Sequence, residues 1–468
     1  MKAAAQQTEE IIKREFTRPS PVDTIRNGAA FGPAALGLEP DFVLTNFSAL
    51  KGCGCKLSQA KLLGYLDDMA NDLKPDETPG MDLSVVKISH GKSLYLVSTT
   101  DFFFPSVEDP YMQGKIACAN VLSDVYAMGV TEVDTMLMIL GVCRDMNEKQ
   151  RDIVTTQMIR GFNDLARQAH TNVTGGQTVM NPWPIVGGVA MSVRSESQII
   201  RPENAVVGDV IILTKPLGTQ VAVNLIQWKL KPERWQRVDQ VVKHEDADVA
   251  FQMASKSMGR LNLNAAKMMH KYGAHSATDV TGFGILAHAR NQAKSQLGDV
   301  SFELHTLPII KHMVKINEAV GNTFKLLDGF ATETSGSLLL CLSAENAEAL
   351  IKELRKLDDK PAWVVGRVVT GSKDAYIVPK KIRLSLMFLQ KTRKNRITLI
   401  SQLLDVNRYA FDKKWCQNET ETQNGFQDFM RSSQATDHFR LCEGGATFSF
   451  VSGDNDSIDS INIVQLCS

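Results

Sequence analysis

Six consecutive residues, Lys51-Gly52-Cys53-Gly54-Cys55-Lys56, bring together two thiols, two glycines and two ammonium groups. Nearby lysines favour the thiolate, the nucleophilic form of cysteine, and a helix N-terminus does the same. Leu57, Leu62, Leu63, Leu66, Met69 and Leu73 are spaced for an amphipathic helix straight after the loop, with Ser58 as its N-cap. Glycines permit unusual backbone angles and close approach to a ligand. The six residues therefore suit a reactive, anion-attracting loop, and also a plain glycine turn carrying two incidental thiols. Zinc is disfavoured, because Cys-x-Cys lacks the usual ligand spacing and no second pair completes four ligands.

Oxygen donors make a second pattern. Asp82 follows Gly80-Met81, and Asp101 closes Thr99-Thr100-Asp101 at an expected strand end. Asn120 and Asp124 lie four apart on an expected helix and so share a face. Gly175-Gly176-Gln177-Thr178 is glycine-rich, and Asp279 sits among Thr278, Thr281, Gly282 and Gly284. Mg²⁺ takes oxygen ligands and is commonly held by carboxylates plus substrate phosphates. Glycine-rich segments offer backbone N–H groups to phosphate oxygens. Phosphoryl transfer asks mainly for positioning and charge neutralisation, so these parts suit it in kind. The same residues also read as caps, a wet helix face and ordinary turns, and no P-loop signature is present. The residues alone describe an α/β protein with room for a Mg–nucleotide site and a reactive thiol.

The elements that must position these groups alternate. Strands are expected at 84–88, 94–98, 135–142 and 185–193, and helices at 115–128 and 153–169. Residues 41–47 read as a strand leading into the cysteine loop, and 172–178 as a strand-to-loop transition. A boundary with Pro202 and Gly208 at 201–209 precedes a second α/β unit. That unit has strands at 209–214 and 337–343 and a helix at 259–272. Residues 1–41 read as a flexible extension. Residues 380–396 hold seven basic residues and no acidic one, which predicts a solvated tail. The rest, to residue 468, is rich in Asn, Asp, Gln and Ser and reads as weakly ordered.

Lys plus Arg equals Asp plus Glu at 52 each, which gives no support for general nucleic-acid binding. No stretch approaches the ~20 apolar residues of a membrane span, and no apolar leader follows Met1. Eight irregularly placed cysteines in 468 residues suit a reducing compartment, so a cytoplasmic protein is expected.

Taken together and in order, these segments resemble the selenophosphate synthetase (selenide, water dikinase) family, in its animal-type form. The resemblance runs from Gly52-Cys53-Gly54-Cys55-Lys56 through Gly80-Met81-Asp82, Thr99-Thr100-Asp101 and residues 109–129. It continues through 174–182, 213–224, 277–284 and Glu333-Thr334-Ser335-Gly336. It implies an α/β (α+β) architecture like that of aminoimidazole ribonucleotide synthetase, with an ATP/Mg domain at 42–200 and a second domain at 201–379. It further implies a homodimer with ATP at the subunit interface. The implied reaction turns ATP, selenide and water into selenophosphate, AMP and orthophosphate, with several Mg²⁺ ions and a monovalent cation such as K⁺. Selenophosphate would supply selenium for selenocysteine synthesis. By position, Cys53 and Lys56 match the catalytic pair, and Asp82, Asp124 and Asp279 match the magnesium-binding aspartates. Lys56, Gly80, Met81, Asp82, Asp101, Asn120, Gly175, Gly176, Gln177 and Thr178 match the ATP site. Cys53 argues against a catalytically silent nucleotide-binding paralogue, in which another residue stands there. Residues 380–468 match nothing in the family and read as an atypical tail or a gene-model error.

Overall fold

The computed structural model describes residues 31–57, 61, 83–88 and 93–378, and the backbone of strands at 383–391, 397–405, 447–448 and 461–462. The helix expected after Lys56, and Gly80-Met81-Asp82, lie outside these residues. The chain divides into units 1–405 and 406–468. The described part of the second is the antiparallel pair Thr447–Phe448 and Ile461–Asn462.

In the first unit, the chain runs β1 (Leu83–Lys87), β2 (Leu94–Phe103), α1 (Pro110–Ala127), β3 (Thr135–Cys143), α2 (Glu148–Gln168), β4 (Val173–Asn181) and β5 (Ile185–Ser195). These strands form one sheet in the order β1-β2-β5-β3-β4, antiparallel except for the β3–β4 pair. Then come β6 (Val210–Leu213), α3 (Thr219–Trp228), α4 (Pro232–Trp235), α5 (His244–Met258), α6 (Leu263–Lys271), β7 (Ser276–Asp279) and α7 (Gly284–Lys294). β8 (Val300–Leu304), β9 (Thr306–Ile310), α8 (Met313–Ala319), β10 (Leu338–Leu342), α9 (Ala344–Asp358), β11 (Trp363–Thr370) and β12 (Ala375–Ile377) follow. The second sheet has the order β12-β8-β11-β6-β10-β7. Its centre is made of unbroken apolar runs, such as the wholly buried β10, as expected of strands covered on both faces.

α1 lies between the two sheets. It packs on β2, β5 and α2 on one side and on β7, α5 and α6 on the other. Every residue of α1 except Met112 and Lys115 is buried. That explains why periodicity places its start late, at 115: a helix buried all round has no polar stripe. Its start is set by cap chemistry instead. Asp109 accepts from the Tyr111 N–H at 2.9 Å and Pro110 occupies the first turn. α2 likewise begins before the expected 153, on an Asn147–Gln150 capping box.

Other expectations need correction. Residues 44–47 form a 3₁₀ turn, not a strand. Gly175 to Thr178 lie within β4, not in a loop. Parallel pairing with β3, from Leu137 opposite Gly175 to Leu140 opposite Thr178, draws them into the sheet as its edge. The helix expected at 259–272 is α6 alone, because α5 stops at Met258. Beyond 379, β13 (Arg383–Lys391) and β14 (Ile397–Asp405) extend β9 into a third sheet, β14-β13-β9.

The two helices on the first sheet touch through glycine. A Cβ at Gly161 would stand 1.9 Å from the Tyr111 carbonyl oxygen, and one at Gly114 2.1 Å from that of Met158. Gly161→Ala should therefore force α1 and α2 apart and cost about 1–3 kcal/mol or more. A thermal unfolding midpoint equal to that of the wild type would show that the helices do not meet so closely.

Candidate active site

β2 and α1 match each other's spacing. Thr99 and Asp101, two apart on a strand, share one face. Asn120 and Asp124 are one turn apart on a helix. Both separations are about 6–7 Å, so the pairs meet in register. The Thr99 hydroxyl donates to Asp124 Oδ2 at 2.7 Å, and Asn120 Nδ2 donates to Asp101 Oδ2 at 2.8 Å. Lys56 Nζ stands 4.0 Å from Asp101 Oδ1 and 5.7 Å from the centre of the Phe283 ring, so the loop lysine reaches both domains.

The cysteine loop is pinned from several sides. The Gly52 N–H donates to the Phe104 carbonyl at 3.0 Å, with Gly52 at φ +51°. Lys51 Nζ donates to the carbonyls of Thr45 and Ser48, and burial pulls its pKa down. The Cys55 sulfur accepts from the Lys51 N–H and its thiol reaches the Lys51 carbonyl, both at 3.2 Å. Burial pushes the Cys55 pKa up. Cys55 is thus a thiol that closes the loop, not a thiolate. The backbone of Cys53 lies in the 3₁₀ turn Cys53–Cys55; its side chain is outside the described part. A cavity of about 30 Å³ lies against Gly52 and Gly54, walled also by Ser106, Thr219, Gln220 and Thr334.

Residues 332–336 cross from this loop to α1, and each touches a different neighbour. The Thr332 N–H donates to Gln220 Oε1 at 3.2 Å, which fixes that amide beside Gly54. Glu333 accepts from the N–H groups of Gly218 at 2.6 Å and Thr219 at 3.0 Å, and from the Thr219 hydroxyl, so it caps α3. The Ser335 N–H donates to Asn120 Oδ1 at 2.7 Å. Asn262 Nδ2 donates to the Gly336 carbonyl at 3.0 Å and to Ser123 Oγ at 3.1 Å. Lys215 Nζ donates to the carbonyls of Arg260 at 2.7 Å and Ser335 at 2.8 Å.

Sequence reasoning gave Gln220, Lys215 and Ser335 no role. One signal was available for Lys215. A lysine at the end of an apolar strand, before Pro-Leu-Gly, falls where a charge is rarely left without a task.

Of the expected residues, Lys56, Asp101, Asn120, Thr99 and Asp124 form one connected group. Asp279 ends β7, the strand on which α1 packs, and is buried. Gly175 to Thr178 lie apart from this group, on the edge strand β4. Asp101, Asp124 and Asp279 offer oxygen only, which fits Mg²⁺. Among the described residues no three acidic, His or Cys groups form a complete cage. An ion completed by water and substrate phosphate needs none.

Family models place this geometry among known proteins. The model described as AIR synthase related protein, N-terminal domain, matches residues 80–193, and its C-terminal domain model matches 206–379. A selenide, water dikinase of Dictyostelium discoideum is 51% identical over 331 residues, 71% of this chain and 89% of that protein. The chain belongs to the selenide, water dikinase family. A human family member, selenide, water dikinase 2, is 47% identical over 391 residues, 76% of this chain and 86% of its own length. Thiamine monophosphate kinase from Aquifex aeolicus shares the fold, with a TM-score of 0.51 at 18% identity over 69% of this chain and 97% of that one.

Glu333 makes the site's pH behaviour predictable. Burial outweighs its three hydrogen bonds and raises its pKa from 4.5 to about 7. A carboxyl raised on folding stabilises fully below its unfolded pKa, and that stability is lost as pH climbs through the folded value. Relative to Glu333→Gln, the wild type should lose on the order of 3 kcal/mol between about pH 4.5 and pH 8. Urea titrations of both proteins across that range measure it. Parallel curves would show that Glu333 titrates as an ordinary carboxyl.

Proposed function

We infer that the chain is a selenophosphate synthetase, converting ATP, selenide and water to selenophosphate, AMP and orthophosphate. The observation that carries this is 51% identity along 89% of a selenide, water dikinase. The Lys56–Asp101–Asn120 group supplies a matching chemistry. Breaking both anhydride bonds of ATP sends one phosphoryl group to selenium and one to water. Dense negative charge must be held still throughout.

In this reading Lys56 faces phosphate oxygens while Asp101 holds it in place. Asn120, bonded on both sides, keeps Asp101 from turning away. Thr99 orients Asp124 by donating to its Oδ2. Mg²⁺ would be held by Asp82, Asp124 and Asp279, and when bound it neutralises phosphate charge. K⁺ belongs to the same reading. Cys53, between two glycines, presents a soft thiolate to a soft chalcogen. The small cavity against Gly52 and Gly54 has room for a selenide-sized anion. Cys55, with its raised pKa, supports the loop only.

The reading also calls for a homodimer. Phe102, opposite Gly187, falls in one cross-strand row with Ile139 and Gln177, on the sheet face away from α1. Phe102 is 57% exposed, and Val179, two beyond Gln177, is 48% exposed. Apolar side chains of that size on an open face suit a second copy, which would bring Gly175 to Thr178 to its neighbour's ATP. The free thiols of Cys55, Cys118, Cys143 and Cys341 agree with a cytoplasmic setting.

Anaerobic ³¹P NMR with ATP, Mg²⁺ and selenide tests the reaction. A phosphorus signal split by selenium, with one AMP per selenophosphate, is expected. Asp82→Ala should abolish it, and Cys53→Ser should cut the rate by at least about tenfold. ATP turnover without selenophosphate, from folded wild type, would refute the reading.

A further inference from the structure

Lys215 is the fully buried cation of the second domain, 1% exposed at the end of β6. No carboxylate oxygen of the described residues lies within 4.0 Å of its ammonium. Arg260, the nearest other cation, is matched by Asp358. Lys215 instead spends its donors on two backbone carbonyls, those of Arg260 and Ser335. Burying an ammonium is costly, and here burial and the charge of Arg260 pull the lysine's pKa well down against the more distant pull of Asp358 and Asp279.

Ser335, which receives it, is itself in an unfavourable conformation. Its φ is +45°, rare for a residue with a side chain, and such strain persists only where the surroundings over-determine it. That angle turns the residue's two backbone groups to different domains. The N–H goes to Asn120 on α1 and the C=O goes to Lys215. Its neighbour Gly336 packs so closely on Val280 that a Cβ there would stand 1.9 Å from the Val280 carbonyl, and its own carbonyl accepts from Asn262.

We propose that Lys215 is a positioning residue for the nucleotide site. Its ammonium holds the Ser335 peptide, the Ser335 N–H fixes the Asn120 amide, and Asn120 fixes Asp101 and, through it, Lys56. The chain of contacts is continuous: 2.8 Å from Lys215 to Ser335, 2.7 Å from Ser335 to Asn120, 2.8 Å from Asn120 to Asp101, and 4.0 Å from Asp101 to Lys56. Lys215 is only 1% exposed, so it acts through Ser335 and not on substrate directly. The proposal rests on reading Asn120 and Asp101 as residues of the ATP site.

A double-mutant cycle on the full chain decides it. The affinity of a non-hydrolysable ATP analogue with Mg²⁺ is measured by calorimetry for wild type, Lys215→Met, Asn120→Ala and the double variant, alongside each thermal midpoint. Lys215→Met should bind about tenfold more weakly, and the double variant no more weakly than Asn120→Ala, since both cut one chain. Losses that multiply, or an unchanged affinity in Lys215→Met, would overturn the proposal. If Lys215→Met does not fold, Lys215→Gln keeps one donor and enters the same cycle. Ser335→Gly keeps both backbone groups and relieves the angle, so it should bind within about twofold of wild type. A tenfold loss there would assign the effect to the serine hydroxyl and overturn the relay. A wild type that binds the analogue but makes no selenophosphate removes the synthetase reading and leaves the relay testable. A wild type with no affinity for it removes both.

Discussion

α1 is buried along nearly all of its length, and polar side chains inside a core call for partners. Gln113 accepts from the Ser106 N–H at 2.8 Å, and Asn120 is bonded to Asp101 and Ser335. Ser123 receives the Asn262 amide and Asp124 receives the Thr99 hydroxyl. Leaving any one of these unpaired would cost about 1–3 kcal/mol. The partners come from different elements on both sides, so they fix the rotation and height of α1 more tightly than its apolar residues do. Leucines and alanines would tolerate a small slide. A two-sided amide does not.

The same constraint explains why chemistry collects at the junction. Polar groups inside a core have to be delivered to a place where they face each other, and the seam between two sheets is the one place where both domains can contribute. Asp101 and Asp124 come from the first domain and its helix, Asp279 from the edge of the second sheet, and Lys56 from the loop in front. The crossing segment at 332–336 closes the seam. It caps α3 through Glu333, meets the cysteine loop through Thr332, and meets α1 through Ser335. A displacement of this segment therefore reaches the thiol loop and the carboxylates together.

The local half of this site was legible in the sequence. Thr99 and Asp101 at strand spacing, and Asn120 and Asp124 at helix spacing, are periodicities written in neighbouring residues, and the structure joins those two pairs. Gly52 and Lys56 could be read for the same reason. Where pairing partners come from far along the chain, local pattern failed. Gly175 to Thr178 look like a turn until β3 lies beside them and pairs with them. Residues 41–47 have strand-like side chains but pair with no strand among the described residues, and 44–47 coil into a 3₁₀ turn. Lys215 and Ser335 are 120 residues apart and meet only once the second domain has folded. Nothing in their local spacing announces this. The ordered resemblance to a family identified the chain more sharply than any single motif, because it sums many such distant constraints at once.

Glu333, in the crossing segment, and Lys215, bonded to that segment, are both buried ionisable groups, and they do not pair with each other. Each is spent on backbone: Glu333 on the N–H groups of Gly218 and Thr219, Lys215 on the carbonyls of Arg260 and Ser335. Apolar side chains of similar volume would in general be no less stable in such positions. What they could not do is hold the peptide of a residue at φ +45° in a single orientation. Phosphoryl transfer gains most of its rate from placement, and an error of about 1 Å in a supporting group costs on the order of a hundredfold. The arrangement therefore sacrifices some folding stability in return for one geometry of Asn120, and through Asn120 for one geometry of Asp101 and Lys56.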